Sequence, residues 1–320
     1  MRMLVLSRNP SLYSTSRVVL TARARGHDVT VTDPLDFQIV VSKGLPSLFV
    51  GGQKAPKYDV VVPRIGASIT NYGLAVVRQL DLMGVPVVNG AVSIARSRDK
   101  LRALQLLTQV GIDVPITVCA RSPAGLDAAL ELVGGCPAIV KLQQGTQGIG
   151  TMIADSPQAA HSLLETFWAM GQDIVLQEYV KESKGRDVRA IVVGGKVIAA
   201  MRRVAKKGEF RANLHRGAKG SNVSLPPSYR RAAIRAAGAM GLGVAGVDML
   251  EGRDGPRVLE INSSPGLEGI ERASGVDVAG AIVEYAEGYA HDNRIYSKAE
   301  VKRRIDDTLR VEKKRVRGIP

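Results

Sequence analysis

Residues 246–262 constrain this chain more than any other stretch. Gly246-Val247-Asp248-Met249-Leu250 and Arg257-Val258-Leu259-Glu260-Ile261-Asn262 are two apolar-rich, strand-like runs. The turn-forming stretch 251–256 separates them. Centring that turn on Asp254 sets Asp248 opposite Glu260 across an antiparallel hairpin. Side chains two apart on a strand share a face, so Asn262 joins Glu260. Val247, Met249, Leu259 and Ile261 then form the core face. Two carboxylates directly opposite each other repel. A divalent cation between them would remove the conflict, and two carboxylates with an amide oxygen are hard ligands suited to Mg²⁺ or Mn²⁺. A solvated strand face with unrelated charges is the other reading of the same pattern.

Elsewhere the chain reads as alternating strands and helices. In the first ninety residues, strands are predicted at 3–7, 29–32, 59–63 and 85–89, with helices at 16–26 and 67–83. That order suggests a small parallel sheet covered by helices. A helical region is predicted over 89–110, strands at 138–142, 151–154 and 173–180, and a helix at 157–170. Hairpins follow, with helices at 227–241 and 276–288. The expected organisation is an N-terminal α/β domain (1–90), a central subdomain (91–181), a C-terminal subdomain (182–290) and a basic extension (291–320).

Three further clusters carry chemistry. Lys141 precedes Gly145-Thr146-Gln147-Gly148-Ile149-Gly150, a glycine-rich turn between strands. Its backbone N–H groups can close over phosphates, with the lysine as a point charge; a plain hairpin turn fits the same residues. Gln177-Glu178-Tyr179-Val180 is a strand end followed by Asp187. The main chain there can read an adenine, and the carboxylate can accept from ribose hydroxyls; Glu178 can also be a plain surface carboxylate. Arg202, Arg203, Lys206, Lys207, Arg211, Arg216 and Lys219 form a basic run with His215, against the single acid Glu209. Such a run is either a solvated, RNA-touching loop or a cradle for phosphate and carboxylate oxygens. No Ser/His/Asp or Cys/His arrangement supports covalent hydrolysis.

Composition excludes several classes. In 320 residues, 45% are hydrophobic and 23% charged, the ordinary globular range. No apolar run approaches a membrane span, and residues 1–7 are too short for a secretory core. Two cysteines make neither a disulfide framework nor a zinc quartet. A soluble, cytoplasmic protein is expected. The net charge of +14 favours polyanionic partners, with +6 of it between Arg294 and Pro320, where ten basic residues face four acidic ones. Aromatics at 4% argue against a single-strand nucleic-acid platform.

Taken in order, these pieces resemble ATP-grasp ligases. Arg98-Asp99-Lys100-Leu101 opens the nucleotide domain. Lys141 with the glycine turn, Gln177–Val180, Asp187-Val188-Arg189, the stretch 211–217, Asp248 and the stretch 259–271 follow. The similarity is strongest to the RimK group, on LSRNPSLYS, PRIGASITNYG, RSRDKLR, GTQGIG, NLHRGA and NSSPGLEGIE. It spans about residues 1–290.

The resemblance implies an α/β ATP-grasp fold with an N-terminal parallel-sheet pre-ATP-grasp domain. It implies ATP phosphates on Lys100 and Lys141 under the Gly145, Gly148 and Gly150 loop. Adenine would lie on Glu178 and Tyr179, and ribose on Asp187. Arg211, Ala212 and Asn213 would reach the phosphate end, with Arg211 and Lys141 catalytic. Two Mg²⁺ or Mn²⁺ would sit on Asp248, Glu260 and Asn262. It further implies that L-glutamate is added to the C-terminus of the sixth small-subunit ribosomal protein through an acyl phosphate, with poly-α-glutamate as a related product. Arg64, Arg203, His215 and Arg216 are candidates for the substrate carboxylates. Gln144 departs from the acid common in relatives, and the extension has no counterpart there. That extension is either a solvated helix or a contact to ribosomal RNA. A homo-oligomer is expected from the family alone. Rival readings are the same fold acting on a small cofactor or an amino-group carrier protein, and a non-catalytic RNA-binding protein.

Overall fold

The structure, a computed structural model, describes residues 1–42, 46–120, 125–142 and 150–295. It divides into two compact units, residues 1–91 with 279–320, and residues 92–278.

The first unit begins with β1 (Arg2–Leu6), α1 (Tyr13–Ala24) and β2 (Asp28–Thr32). Met3 to Leu6 are fully buried, the continuous apolar run of a central parallel strand. Gly26, at φ +82°, ends the first helix in the left-handed conformation that a side chain would strain. Next come β3 (Phe37–Val40), β4 (Ser47–Val50), β5 (Gln53–Lys54), β6 (Val60–Pro63) and α2 (Thr70–Leu82). β2-β1-β6 form the expected parallel sheet. β3-β4-β5 form a separate antiparallel sheet that the sequence reading did not anticipate. The predicted strand at 85–89 is reduced to a single parallel bridge between Val61 and Val87.

The second unit opens with two helices where one was expected, α3 (Ala91–Arg98) and α4 (Lys100–Gln109). Asp99 divides them: its carboxylate accepts from the Arg102 N–H at 3.0 Å and caps the second helix. β7 (Thr117–Cys119), α5 (Leu126–Leu132), β8 (Ala138–Leu142), β9 (Thr151–Ala154), α6 (Pro157–Ala169) and β10 (Ile174–Glu178) follow. Their four strands pair antiparallel in the order β7-β10-β8-β9. Leu126, Leu130, Val140, Leu164 and Leu176 fill the core between that sheet and its helices.

The rest of the unit is β11 (Arg186–Val193), β12 (Lys196–Val204), β13 (Lys219–Asn222), α7 (Pro227–Met240), β14 (Val244–Gly252), β15 (Gly255–Asn262) and α8 (Glu268–Ser274). These strands make a five-stranded antiparallel sheet, β13-β12-β11-β14-β15. Helices α4 and α7 pack on its apolar face through Leu107, Ala233, Ala237 and Met240, against Val188, Val247 and Ile261. α9 (Val278–Ile295) closes the described chain, running past the expected boundary at His291. Residues 296–320, most of the basic extension, lie outside the described residues. Among the described residues, no helix is long and apolar enough to cross a membrane.

Candidate active site

The β14–β15 hairpin pairs Asp248 with Glu260, as the sequence suggested, but by a different route. The strands run on to Gly252 and Gly255, so the turn is only two residues long. That register alone would set Asp248 against Leu259. A bulge between Asp248 and Met249 absorbs one extra residue and restores the pair. Its consequence corrects the expected core face. Val258 is fully buried, whereas Leu259 is half-buried and Glu260 exposed, and both line a cavity. Asn262 pairs with Gly246, and its Nδ2 is buried with no hydrogen-bond partner among the described residues.

Both sheets of the second unit contribute to that cavity. Lys100 enters from the start of α4 and Lys141 from β8. Gln177, Glu178, Tyr179 and Val180 come from β10 and its end. Ser183, Asp187, Arg211, Ala212, Asn213 and Asp248 complete it. Most of the sequence-predicted nucleotide residues therefore share one cavity. Gly145 and Gly148 lie outside the described residues, as does the side chain of Arg216. Gly150 is described: at φ +76° its carbonyl accepts from the Leu142 N–H at 2.9 Å, and a Cβ there would sit 2.6 Å from Leu142 Cδ1. Only glycine fits at this position.

Lys141 donates from Nζ to Gln177 Oε1 at 2.5 Å, and Gln177 Nε2 donates to Thr117 Oγ1 at 2.7 Å. Burial pushes the Lys141 ammonium down to about 8; Glu260 opposes that shift and Lys100 adds to it. Lys100 donates to the Leu142 carbonyl at 3.3 Å and is also pushed down by burial, with Glu260 pulling it up. Both half-buried ammonium groups are held below their ordinary value by desolvation, and an anionic ligand would favour their charged forms.

The five-stranded sheet contributes a ladder of paired charges. Strand register sets Asp187 beside Arg203, and Arg189 beside Asp248. Arg203 grips Asp187 with two bonds of 2.6 Å and reaches Asp248 Oδ2 at 2.9 Å. Arg189 grips Asp248 with two more of 2.6 Å. Burial opposes ionisation of Asp248, but Arg189 and Arg203 overcome it and hold the carboxyl at about 2. Burial pushes the Asp187 carboxyl upward against the pull of Arg203. Arg203, only 3% exposed, is thus engaged with two carboxylates within the wall. Arg189 was seen in the sequence only as part of a motif. Its position two residues from Asp187, on the same strand face, was the available signal.

The Glu178 carboxylate is already engaged by other groups of the protein. One oxygen accepts from the Ile116 N–H at 3.1 Å and the other pairs with Arg257. What remains for a base is the main chain and Tyr179. Arg211 is held by Glu209 through bonds of 2.8 and 2.7 Å and stacks over Phe210 at 5.3 Å. Glu209, passed over in the sequence as the odd acid of a basic run, is its partner. Arg211 holds the Glu209 carboxyl at about 2. His215 is exposed and does not line the cavity. Arg64 belongs to the other unit, at the end of β6, where burial pushes its guanidinium down to about 10.

The donor set bears on a metal. Glu260 offers an exposed carboxylate, and the Asn262 amide, its nitrogen orphaned, can turn its oxygen to a cation. Asp248 already accepts three guanidinium N–H bonds on roughly four lone-pair sites, so about one direction remains. Hard oxygens beside two lysines fit a divalent cation carried with phosphates.

Comparison with known proteins identifies the family. A sequence model of the RimK-like ATP-grasp domain matches residues 97–286, and one of the RimK PreATP-grasp domain matches residues 1–94. The probable alpha-L-glutamate ligase 1 of Shewanella denitrificans is 52% identical over 291 residues, 91% of this chain and 99% of its own. The probable alpha-L-glutamate ligase 2 of Shewanella sp. strain MR-4 is 52% identical over 287 residues, 90% of this chain and 96% of its own. Among solved structures, the ATP-grasp ligase PsnB complexed with a phosphomimetic variant of minimal precursor, Mg and ADP superposes with a TM-score of 0.71 at 24% identity, over 90% of this chain and 98% of that one. A RimK domain protein ATP-grasp from Sphaerobacter thermophilus gives 0.69 at 23%, over 89% and 99%. The chain belongs to the RimK-like ATP-grasp family and is an ATP-dependent carboxylate–amine ligase.

Proposed function

We propose that the chain joins L-glutamate to a peptide C-terminus, that of the sixth small-subunit ribosomal protein, at the expense of ATP. The observation that carries the reading is the convergence of Lys100, Lys141, Arg211 and Glu260 on one cavity, in a chain 52% identical to proteins named alpha-L-glutamate ligase. In the first step the acceptor carboxylate attacks the γ-phosphorus, ADP leaves, and an acyl phosphate forms. In the second the glutamate amine attacks the acyl carbon, an amide bond forms, and phosphate leaves with the amine's proton lost to solvent. Such transfer needs positioning and charge neutralisation rather than a covalent protein group. Lys100, Lys141 and Arg211 supply cations to the phosphates, and Tyr179 with the Glu178 main chain frames the base. Mg²⁺, held by Glu260, Asn262 and the remaining lone pair of Asp248, would neutralise phosphate charge when bound.

The test is intact mass of the ribosomal protein after incubation with enzyme, ATP, Mg²⁺ and glutamate. Lys141→Met serves as the blank, because Asp248 is also a structural anchor. A ladder of glutamyl additions, absent in the blank, supports the reading. Glutamate-dependent ADP release without a ladder moves the acceptor to glutamate itself, to a small cofactor or to a carrier protein. The absence of both the ladder and ADP release would overturn the reading.

A further inference from the structure

A line of hydrogen bonds runs from Lys141 across three adjacent strands. The strand order β7-β10-β8 sets Thr117 directly opposite Gln177, and Lys141 opposite Val175, two residues from Gln177 along the same face. Lys141 Nζ donates to Gln177 Oε1 at 2.5 Å, and Gln177 Nε2 donates to Thr117 Oγ1 at 2.7 Å. The Thr117 hydroxyl in turn donates to the Pro115 carbonyl at 2.9 Å. Lys141 and Gln177 line the cavity, whereas Thr117 is not among the described residues that line it.

The far end of the line fixes its direction. A carbonyl can only accept, so the Pro115 oxygen takes the Thr117 proton and leaves that hydroxyl its lone pairs. The Gln177 amide then gives its NH₂ to Thr117, which turns its oxygen to the ammonium. The reverse setting would place two donors against each other at Lys141 and draw the Thr117 proton away from Pro115. Gln177 is 2% exposed, so bulk water is not at hand to satisfy that wrong setting. A lysine carries its charge on a flexible four-carbon stem, and an acceptor held from behind restricts where the ammonium sits.

We infer that Thr117 is a positioning residue for Lys141: its hydroxyl orients the Gln177 amide, and that amide holds the ammonium where the nucleotide phosphates meet it. The inference rests on the proposed contact between Lys141 and phosphate. A merely structural Thr117 would act through its shape. Valine keeps that shape, together with the strand preference of a β-branched residue. Thr117→Val therefore removes the hydroxyl alone, and Thr117→Ser keeps it.

ADP is titrated calorimetrically, at one fixed pH, into the full chain as wild type, Thr117→Val, Thr117→Ser, Lys141→Met and the double variant Lys141→Met/Thr117→Val. Thr117→Val should weaken ADP binding about three- to tenfold, the worth of one hydrogen bond. Thr117→Ser should stay within about twofold of wild type, because it restores the hydroxyl. Thr117→Ala, a second route to the same loss, should match the valine variant. In the Lys141→Met background the valine should change nothing further, since residues that act through one contact are not additive. Wild-type affinity in Thr117→Val and Thr117→Ala, or an equal loss in Thr117→Ser, would overturn the role of Thr117 and leave the nucleotide site standing. So would a valine effect of the same size with and without Lys141. ADP binding by Lys141→Met as tight as by wild type would overturn the phosphate contact itself.

Discussion

On one wall of the cavity Arg203 and Arg189 close on Asp187 and Asp248 with separations of 2.6–2.9 Å. Lys100 from α4 and Lys141 from β8 instead share the influence of Glu260, which the hairpin carries next to Asp248, and burial lowers both ammonium groups. The first wall has settled its charges within the protein and acts as scaffold. The second gathers two lysines whose ammonium groups desolvation disfavours, which is the electrostatic signature of a site built for an anion. Substitutions should therefore separate cleanly, with stability lost on the paired wall and activity lost on the cationic one.

The largest effect should come from Arg203→Met. It leaves two buried carboxylates short of a cation, a loss of about 3–5 kcal/mol in stability for a broken buried pair. Denaturant midpoints measure it. A midpoint close to wild type would mean that Arg203 is not the internal clamp described here, and would return it to the substrate-binding candidates.

Lys141→Met should do the reverse. Losing one charge in a closed phosphoryl-transfer site costs about 2–4 kcal/mol of barrier, roughly 30- to 1,000-fold in kcat. Its midpoint should hold or rise, since a desolvated cation is gone. A variant that unfolds as readily as Arg203→Met would erase the distinction between the walls.

How much of this was visible in the sequence differs between the walls for a physical reason. The carboxylate pair at Asp248 and Glu260 was legible because a hairpin is local. Even so, the turn was set wide, and the bulge beside Met249 made the pairing come out right. Lys141 and the glycine turn were legible as a motif. Arg203's grip on Asp187 also crosses a hairpin, over Gly194-Gly195, but a register shift after Ile191 hides it. Arg189's grip on Asp248 joins strands from distant parts of the chain, which no periodicity records. The same limit applies in the first unit. Its parallel sheet announced itself through fully apolar runs such as Met3–Leu6, whereas the half-polar strands of Phe37–Lys54 carried no such signal.

A pH series sharpens the comparison further. Between about 8, where Lys141 titrates in the fold, and its ordinary value of 10.5, the folded chain binds fewer protons at this residue than the unfolded chain. Stability of the ligand-free protein should therefore rise with pH across that window, and Lys141→Met should abolish that part of the rise. ADP affinity should move the other way, falling above about pH 8 as the ammonium that meets phosphate loses its proton. If affinity stays flat to pH 9.5, Lys141 is not the phosphate contact.

The smallest effect is expected at Glu209, which belongs to neither wall. Its pair with Arg211 is short, 2.7–2.8 Å, but each side chain keeps about a fifth of its surface in solvent. Such a pair contributes at most about 1 kcal/mol to stability. Glu209→Gln should accordingly leave the denaturation midpoint almost unchanged. It frees the Arg211 guanidinium from its fork, so the KM for ATP should rise about two- to fivefold, the cost of one looser contact. With the Glu209 carboxyl held at about 2, the wild-type pair stays ionised throughout pH 5–8, and this contact adds no pH dependence there. A stability loss matching that of Arg203→Met would place Glu209 with the scaffold. An unchanged KM would remove Arg211 from the phosphate contacts altogether.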